Sequence, residues 1–169
     1  RTDGVIPAGD VTPTGVAELL PFENTVSYVT LTGAQVRRVL EHGVNAFNDA
    51  SATTEDEWEG WFMQVAGMTY VADTSKQREV YNGEADPPEV TTAGERIIEA
   101  TVGGQPLDDA ATYRVATSKF LADGLDGHLA FTEGTDRVDS DTLETQIVID
   151  YLKASSPVTP ALDGRIEIR

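Results

Sequence analysis

The chain has 169 residues, 40% of them hydrophobic, enough for one domain or two small halves that share a core. It has no cysteine, which excludes disulfides, thiolate nucleophiles and thiolate metal sites, and its two histidines, His42 and His128, are too few for a typical zinc or di-metal hydrolase centre. A net charge of −17, with only three lysines (Lys76, Lys119, Lys153) and nine arginines as cations, repels nucleic-acid backbones and anionic lipid, so neither is expected as a partner.

Arg1 to Pro13 reads as a loop punctuated by Gly4, Pro7, Gly9 and Pro13, and Thr14 as the N-cap of a short helix, Val16 to Leu20, that stops before Pro21. Pro21-Phe22-Glu23-Asn24 follows, and on pattern alone Phe22 is a core aromatic. Thr25 to Leu31 is rich in β-formers and predicts a strand. Thr32 caps the clearest helix, Ala34 to Phe47, whose Val36, Val39, Leu40, Val44 and Phe47 share one face. Arg37, Arg38 and Glu41 then fall on or near its polar side, and His42 reads as a surface residue without a metal-ligating neighbour. Asn48 to Glu59 is an acidic, solvated loop containing Trp58. Gly60 to Val71 predicts one long strand, with Gly60 and Gly67 as close approaches or bulges and Trp61, Phe62 and Met63 as core.

Asp73 to Gly94 is a polar surface excursion containing Pro87-Pro88. Arg96 to Val102 predicts a strand, Gly103-Gly104 a tight hairpin turn and Gln105-Pro106-Leu107 its return. Tyr113 to Thr117 alternates as a half-buried strand does, and then the chemistry changes in Ser118-Lys119-Phe120-Leu121-Ala122-Asp123-Gly124-Leu125-Asp126-Gly127-His128. There one aromatic precedes a turn of two glycines and two aspartates. Phe120 offers a flat apolar face and Asp126 a carboxylate that accepts from neighbouring hydroxyls, a combination that suits a base and its sugar or an ordinary strand-end turn. Thr132 to Asp139 reads as a polar loop, after which Asp139, Ser140 and Asp141 compete to cap a last helix, Thr142 to Ala154, with Leu143, Ile147, Tyr151 and Leu152 inward. Pro157 and Pro160 end it, and Gly164 to Ile168 predicts a closing strand. Strands in runs and hairpins with helices between them favour an α+β class over a doubly wound sheet.

No phosphate-binding G-x-x-x-x-G-K-[ST] loop, no G-x-G-x-x-G and no G-x-S-x-G elbow occurs, so the chain carries no self-contained catalytic centre and no metal site is expected in it. No apolar run approaches the roughly 18 residues of a membrane span. The abrupt start at Arg1 suggests a fragment. Aromatic and β-branched residues set the chain apart from disordered acidic tails, so the expectation is a folded domain with an acidic skin, from a high-salt, halophilic source.

Motifs in order along the chain resemble the C-terminal domain of the 5'-nucleotidase family. They are Pro21-Phe22-Glu23-Asn24 continuing to Val29-Thr30-Leu31-Thr32-Gly33; Phe62-Met63-Gln64-Val65-Ala66-Gly67; Gly104-Gln105-Pro106-Leu107 with Tyr113-Arg114-Val115-Ala116-Thr117; and the stretch from Ser118 to His128. Gly164-Arg165-Ile166 also fits. The resemblance implies an α+β fold of two related βα subdomains in α/β/β/α layers, with residues 1–169 forming a single substrate-binding domain. It implies a nucleotide or nucleoside as ligand and, in the same polypeptide, an N-terminal metallophosphoesterase domain that holds two divalent metals and the catalytic histidine. It further implies an extracytoplasmic location, secreted or at the cell surface.

Carried over position by position, the resemblance matches Phe22 and Phe120 to two aromatics that sandwich the base and Asp126 to the ribose-binding carboxylate. It matches Asn24 to a polar group near the base, Gly60 to a backbone contact and Arg1 to a phosphate-facing arginine. Stacking gains roughly 1–3 kcal/mol per base and tolerates any base, which suits an enzyme acting on many nucleotides. Leu125 replaces the second glycine of the family's G-G-D-G, Lys119 an asparagine, and His128 stands where an aromatic is common. The alternatives are a non-catalytic ligand-binding module of the same fold, or the same domain in a UDP-sugar, cyclic-nucleotide or thiosulfate-ester hydrolase.

Overall fold

The computed structural model describes residues 6–45, 62–82, 85 and 88–169. The expectations for Arg1, Phe47, Gly60, Trp61 and the acidic loop lie outside the described residues.

The first helix, α1 (Pro13–Leu19), opens three residues earlier than expected. Its cap is Thr12, whose side chain accepts from Gly15 N at 3.1 Å, and Pro13 takes the first helical position. A proline there gives up an N–H that would have no partner in the helix anyway, and its fixed φ already suits the first turn. Strand β1 (Thr25–Thr32) runs into α2 (Gly33–Val44) through a capping box: Gln35 N donates to Thr32 Oγ1 at 3.2 Å and Thr32 N to Gln35 Oε1 at 2.8 Å.

The expected long strand from Gly60 is cut to β2 (Met68–Ala72), because Gly67 takes a left-handed φ of +74° that a continuing strand excludes. Short strands β3 (Val80–Asn82) and β4 (Glu89–Thr92) make a separate hairpin inside the polar excursion. The Gly103-Gly104 turn joins β5 (Ile97–Val102) to β6 (Gln105–Pro106), as its sequence predicts. Strand β7 (Thr112–Ser118) leads into the one-turn helix α3 (Lys119–Ala122) and two 3-10 turns, Leu125–Gly127 and Leu129–Glu133.

Thr135 to Leu143 is a strand, β8, where polarity predicted a loop. Its side chains are almost all exposed, so no apolar alternation marks it. Helix α4 (Glu144–Ser155) begins at Leu143 with no side-chain cap. Ser140 Oγ instead donates to Val26 O at 2.9 Å, inside the sheet. Val148, Ile149 and Leu152 are half-buried on α4, which packs near α1 and β8, whereas Ile147 and Tyr151 stay 43% and 58% exposed, against the expected inward stripe. The last strand, β9 (Ile166–Ile168), pairs in parallel with β2.

Two main sheets result, ordered β7-β1-β8 and β6-β5-β2-β9. Val29 and Leu31 from the first, Tyr70, Ala72, Ile97 and Ala100 from the second, Val36, Val39, Leu40 and Val44 of α2, and Phe131 form one shared core. The α+β class is as expected.

Candidate functional site

Helix α2 organises the site, through its polar residues as much as its apolar stripe. Glu41 and His42, expected at the surface, are 3% and 4% exposed. The amphipathic pattern misleads because other segments pack over the polar side as well. Glu41 accepts from the backbone N–H groups of Ile97 at 2.7 Å and Arg96 at 3.0 Å, tying α2 to the start of β5. Burial pushes the Glu41 carboxyl above its ordinary value, and those two N–H bonds oppose the shift. The Arg96 guanidinium donates to Val44 O at 3.1 Å, completing the helix C-terminus, and Asn45 Nδ2 donates to Glu79 O at 2.9 Å.

His42 reaches the loop after α3. Its Nε2 lies 2.7 Å from Asp126 O, and its Nδ1 lies 3.5 Å from Glu79 Oε1. Its ring also meets Tyr81 and His128 edge-on, with centroids 5.5 and 4.7 Å away. His128, 1% exposed, packs against Phe131 in turn.

The loop is held from the other side by Arg137 on β8. Its guanidinium donates to Ala122 O at 2.9 Å, to Asp123 Oδ1 at 2.5 Å and to both carboxylate oxygens of Asp139. Ser27 Oγ donates to the same Asp139 at 2.6 Å. Lys119 Nζ pairs with Asp123 Oδ2 at 2.7 Å. The carboxyls of Asp123 and Asp139 are held below their ordinary value by these donors, Lys119 and Arg137 for Asp123, Arg137 and Ser27 for Asp139. Lys119, a departure from the family pattern, thus stiffens α3 with an i,i+4 ion pair.

Phe22, Asn24 and Phe120 are placed by sheet register. Strands β1 and β7 are antiparallel with Val26 opposite Ser118. Phe22 precedes Val26 and Phe120 follows Ser118, so both rings stand at the same end of the sheet although 98 residues separate them. Neither is core: Phe22 is 67% exposed and Phe120 36%, which overturns the reading from pattern alone. An aromatic left in water at that level loses the burial that usually justifies it. Asn24 O accepts from Glu144 N at 2.9 Å, and the Asn24 side chain hydrogen-bonds the Glu144 carboxyl. Burial pushes Glu144 up, opposed by that bond. Phe22, Asn24, Glu144 and Thr145 line an open depression of about 290 Å³ with Leu19, Leu20 and Pro21. The larger groove, about 930 Å³ between segments 64–68, 113–116 and 161–166, is lined by none of the expected site residues.

Asp126 is exposed and sits in the left-handed region, φ +52° and ψ +26°. Gly127 beside it has φ +79°, and a Cβ there would lie 2.6 Å from His42 Cε1, so only glycine lets the loop seat on the histidine. Leu125 keeps an ordinary φ and points outward at 47% exposure, so the turn accepts it in place of glycine. Glu144, Arg137, Glu79 and the role of His42 escape sequence reasoning, since each acts across a long sequence separation and none stands in a recognisable spacing. Among the described residues, no group of three or more His, Cys, Asp or Glu could hold a metal ion.

A family profile described as "5'-nucleotidase, C-terminal domain" matches residues 1–133. The chain is 29% identical to an apyrase of Tabanus yao over 168 residues, 95% of this chain and 27% of that protein. It is 30% identical to the trifunctional nucleotide phosphoesterase protein YfkN of Bacillus subtilis, covering 96% of this chain and 10% of that protein. Among solved structures, the 5'-nucleotidase precursor of Thermus thermophilus superposes with a TM-score of 0.76 at 34% identity, over 96% of this chain and 29% of that one. The chain therefore spans well under a third of each of these relatives.

Proposed function

The chain belongs to the 5'-nucleotidase C-terminal domain family, and from that premise we propose that it is the nucleoside-binding domain of a metallophosphoesterase that hydrolyses nucleotide phosphate esters. Residues 1–169 are the substrate-binding domain, and a separate N-terminal domain of the same polypeptide holds two divalent metals and the catalytic machinery. The base stacks between Phe22 and Phe120. Asp126 accepts from the ribose hydroxyls, and Asn24 meets the base edge. Arg1 faces the phosphate and Gly60 offers a backbone contact. A carboxylate on the ribose also keeps the phosphate away from itself by repulsion, which points the ester toward the catalytic domain.

The observation that carries this reading is the pair of exposed phenylalanines brought by register to one end of one sheet. Stacking supplies affinity without reading the base, and the ribose carboxylate supplies orientation. Closure against the catalytic domain then delivers the phosphate to the metals. Alone, the chain binds nucleosides weakly and hydrolyses nothing. Titration of adenosine into the chain tests the proposal: saturable weak binding, lost in Phe120→Ala, supports it, and affinity unchanged by that substitution contradicts it.

No helix among the described residues is long and apolar enough to cross a membrane. We further propose an extracytoplasmic setting, on the strength of the family, and one of high salt, on the strength of the −17 charge carried by a chain that folds around a conventional apolar core.

A further inference from the structure

The nucleoside-binding reading proposed above ends at the carboxylate that meets the ribose. It leaves open what holds that carboxylate in place. Asp126 is a non-glycine residue in the left-handed region, a conformation that costs about 1 kcal/mol or more unless its surroundings enforce it. The enforcing contact is visible. A carbonyl oxygen only accepts hydrogen bonds, so the 2.7 Å approach of His42 Nε2 to Asp126 O makes Nε2 the protonated ring nitrogen and the donor. The opposite ring nitrogen faces the Glu79 carboxylate at 3.5 Å, and both side chains are within 6% of full burial. Glu79 is itself pinned, because Asn45 Nδ2 donates to its backbone oxygen at 2.9 Å. Tyr81 and His128 fence the imidazole edge-on, and Gly127 lacks the side chain that would strike it. The imidazole therefore has one orientation, and that orientation aims a donor at the backbone of the ribose-binding residue.

We infer that His42, held by the edge-on contacts of Tyr81 and His128, is a positioning residue for sugar recognition: its bond to the Asp126 carbonyl holds that residue in the left-handed conformation that presents the carboxylate to the ribose diol. The inference rests on the nucleoside-binding reading above and names a residue that acts through Asp126 rather than on the ligand.

The test is a thermodynamic cycle between the protein and the sugar. Adenosine and 2',3'-dideoxyadenosine, which lacks the diol, are titrated into the wild-type chain and into His42→Phe, which keeps a ring of similar size but no donor. The wild type is expected to prefer adenosine about tenfold or more, the range of a charge-assisted hydrogen-bond pair. In His42→Phe that preference falls to about one while dideoxyadenosine binds as before, and His42→Gln, which restores an N–H near the position of Nε2, recovers part of it. Equal weakening of both ligands in His42→Phe, or a preference that survives it, overturns the inference and leaves the nucleoside-binding reading standing. No diol preference in the wild type overturns the Asp126–ribose assignment and the inference with it. Should His42→Phe fail to fold, nitrogen NMR of the wild-type imidazole decides: a protonated Nε2 with a bond to the Asp126 carbonyl is required, and a bare Nε2 contradicts it.

Discussion

Single residues decide the affinity of the site and one part of its scaffold. Phe120→Ala removes one face of the proposed stack, and Phe120 is not part of the shared apolar core. We expect nucleoside affinity to fall by about 1–3 kcal/mol, roughly five- to 150-fold, with little change in melting temperature. Calorimetric titration beside a thermal melt reads both. Glu41→Gln is the opposite case. Its carboxylate accepts two backbone N–H groups, and an amide can accept from only one of them while turning its own N–H₂ on the other. Loss of about 1–3 kcal/mol of folding stability follows, read as a shift in denaturant midpoint. Phe22, Asn24, Phe120 and Asp126 were legible as candidates because short motifs mark them. Glu41 and His42 were legible only as helix residues, and the amphipathic pattern placed them on the wrong side. A pattern registers the apolar face; it is silent about which loops return to cover the polar one.

At the scale of elements, α3 and the loop behind it are held by ionic contacts as well as by the apolar packing of Leu121, Ala130 and Phe131. Arg137 joins β8 to the end of α3 through Ala122 O and Asp123, and to β1 through Asp139 and Ser27. Asp123 and Asp139 have carboxyls lowered from the ordinary 3.8. A lowered folded-state value means stability that is fully present above the unfolded-state value and lost as pH falls through the folded one. The stability difference between wild type and Arg137→Gln should therefore be constant near neutrality and shrink as the pH falls from about 3.8, the ordinary carboxyl value, through the lowered folded-state values, leaving only the pH-independent share of the bond to Ala122 O. Denaturant titrations across that acid range check it, and a difference that persists in full at the acid end would show that the arginine acts by packing alone. Most elements could be read from sequence: β1, α2, the β5–β6 hairpin and β7 follow from β-propensity, a capping box, a glycine turn and alternation. Strand β8 could not, because an edge strand with both faces in water carries no apolar alternation.

For the whole molecule, charge and site geometry make separate demands. A charge of −17 on 169 residues repels itself in dilute buffer, and salt screens that repulsion over about 10 Å at 0.1 M. The melting temperature should rise from dilute buffer to molar salt, and a flat response would remove the case for a saline setting. The proposed binding site draws on the whole fold, since its two rings come from distant parts of the chain and the β1–β7 register brings them to one end of the sheet. Short motifs announced the rings, whereas their shared edge is knowable only once the strands pair. Nuclear Overhauser contacts between the purine protons of bound adenosine and the rings of Phe22 and Phe120 test that account most directly. It predicts contacts to both rings from the same base; contacts to one ring alone, or to neither while adenosine binds elsewhere, would contradict it.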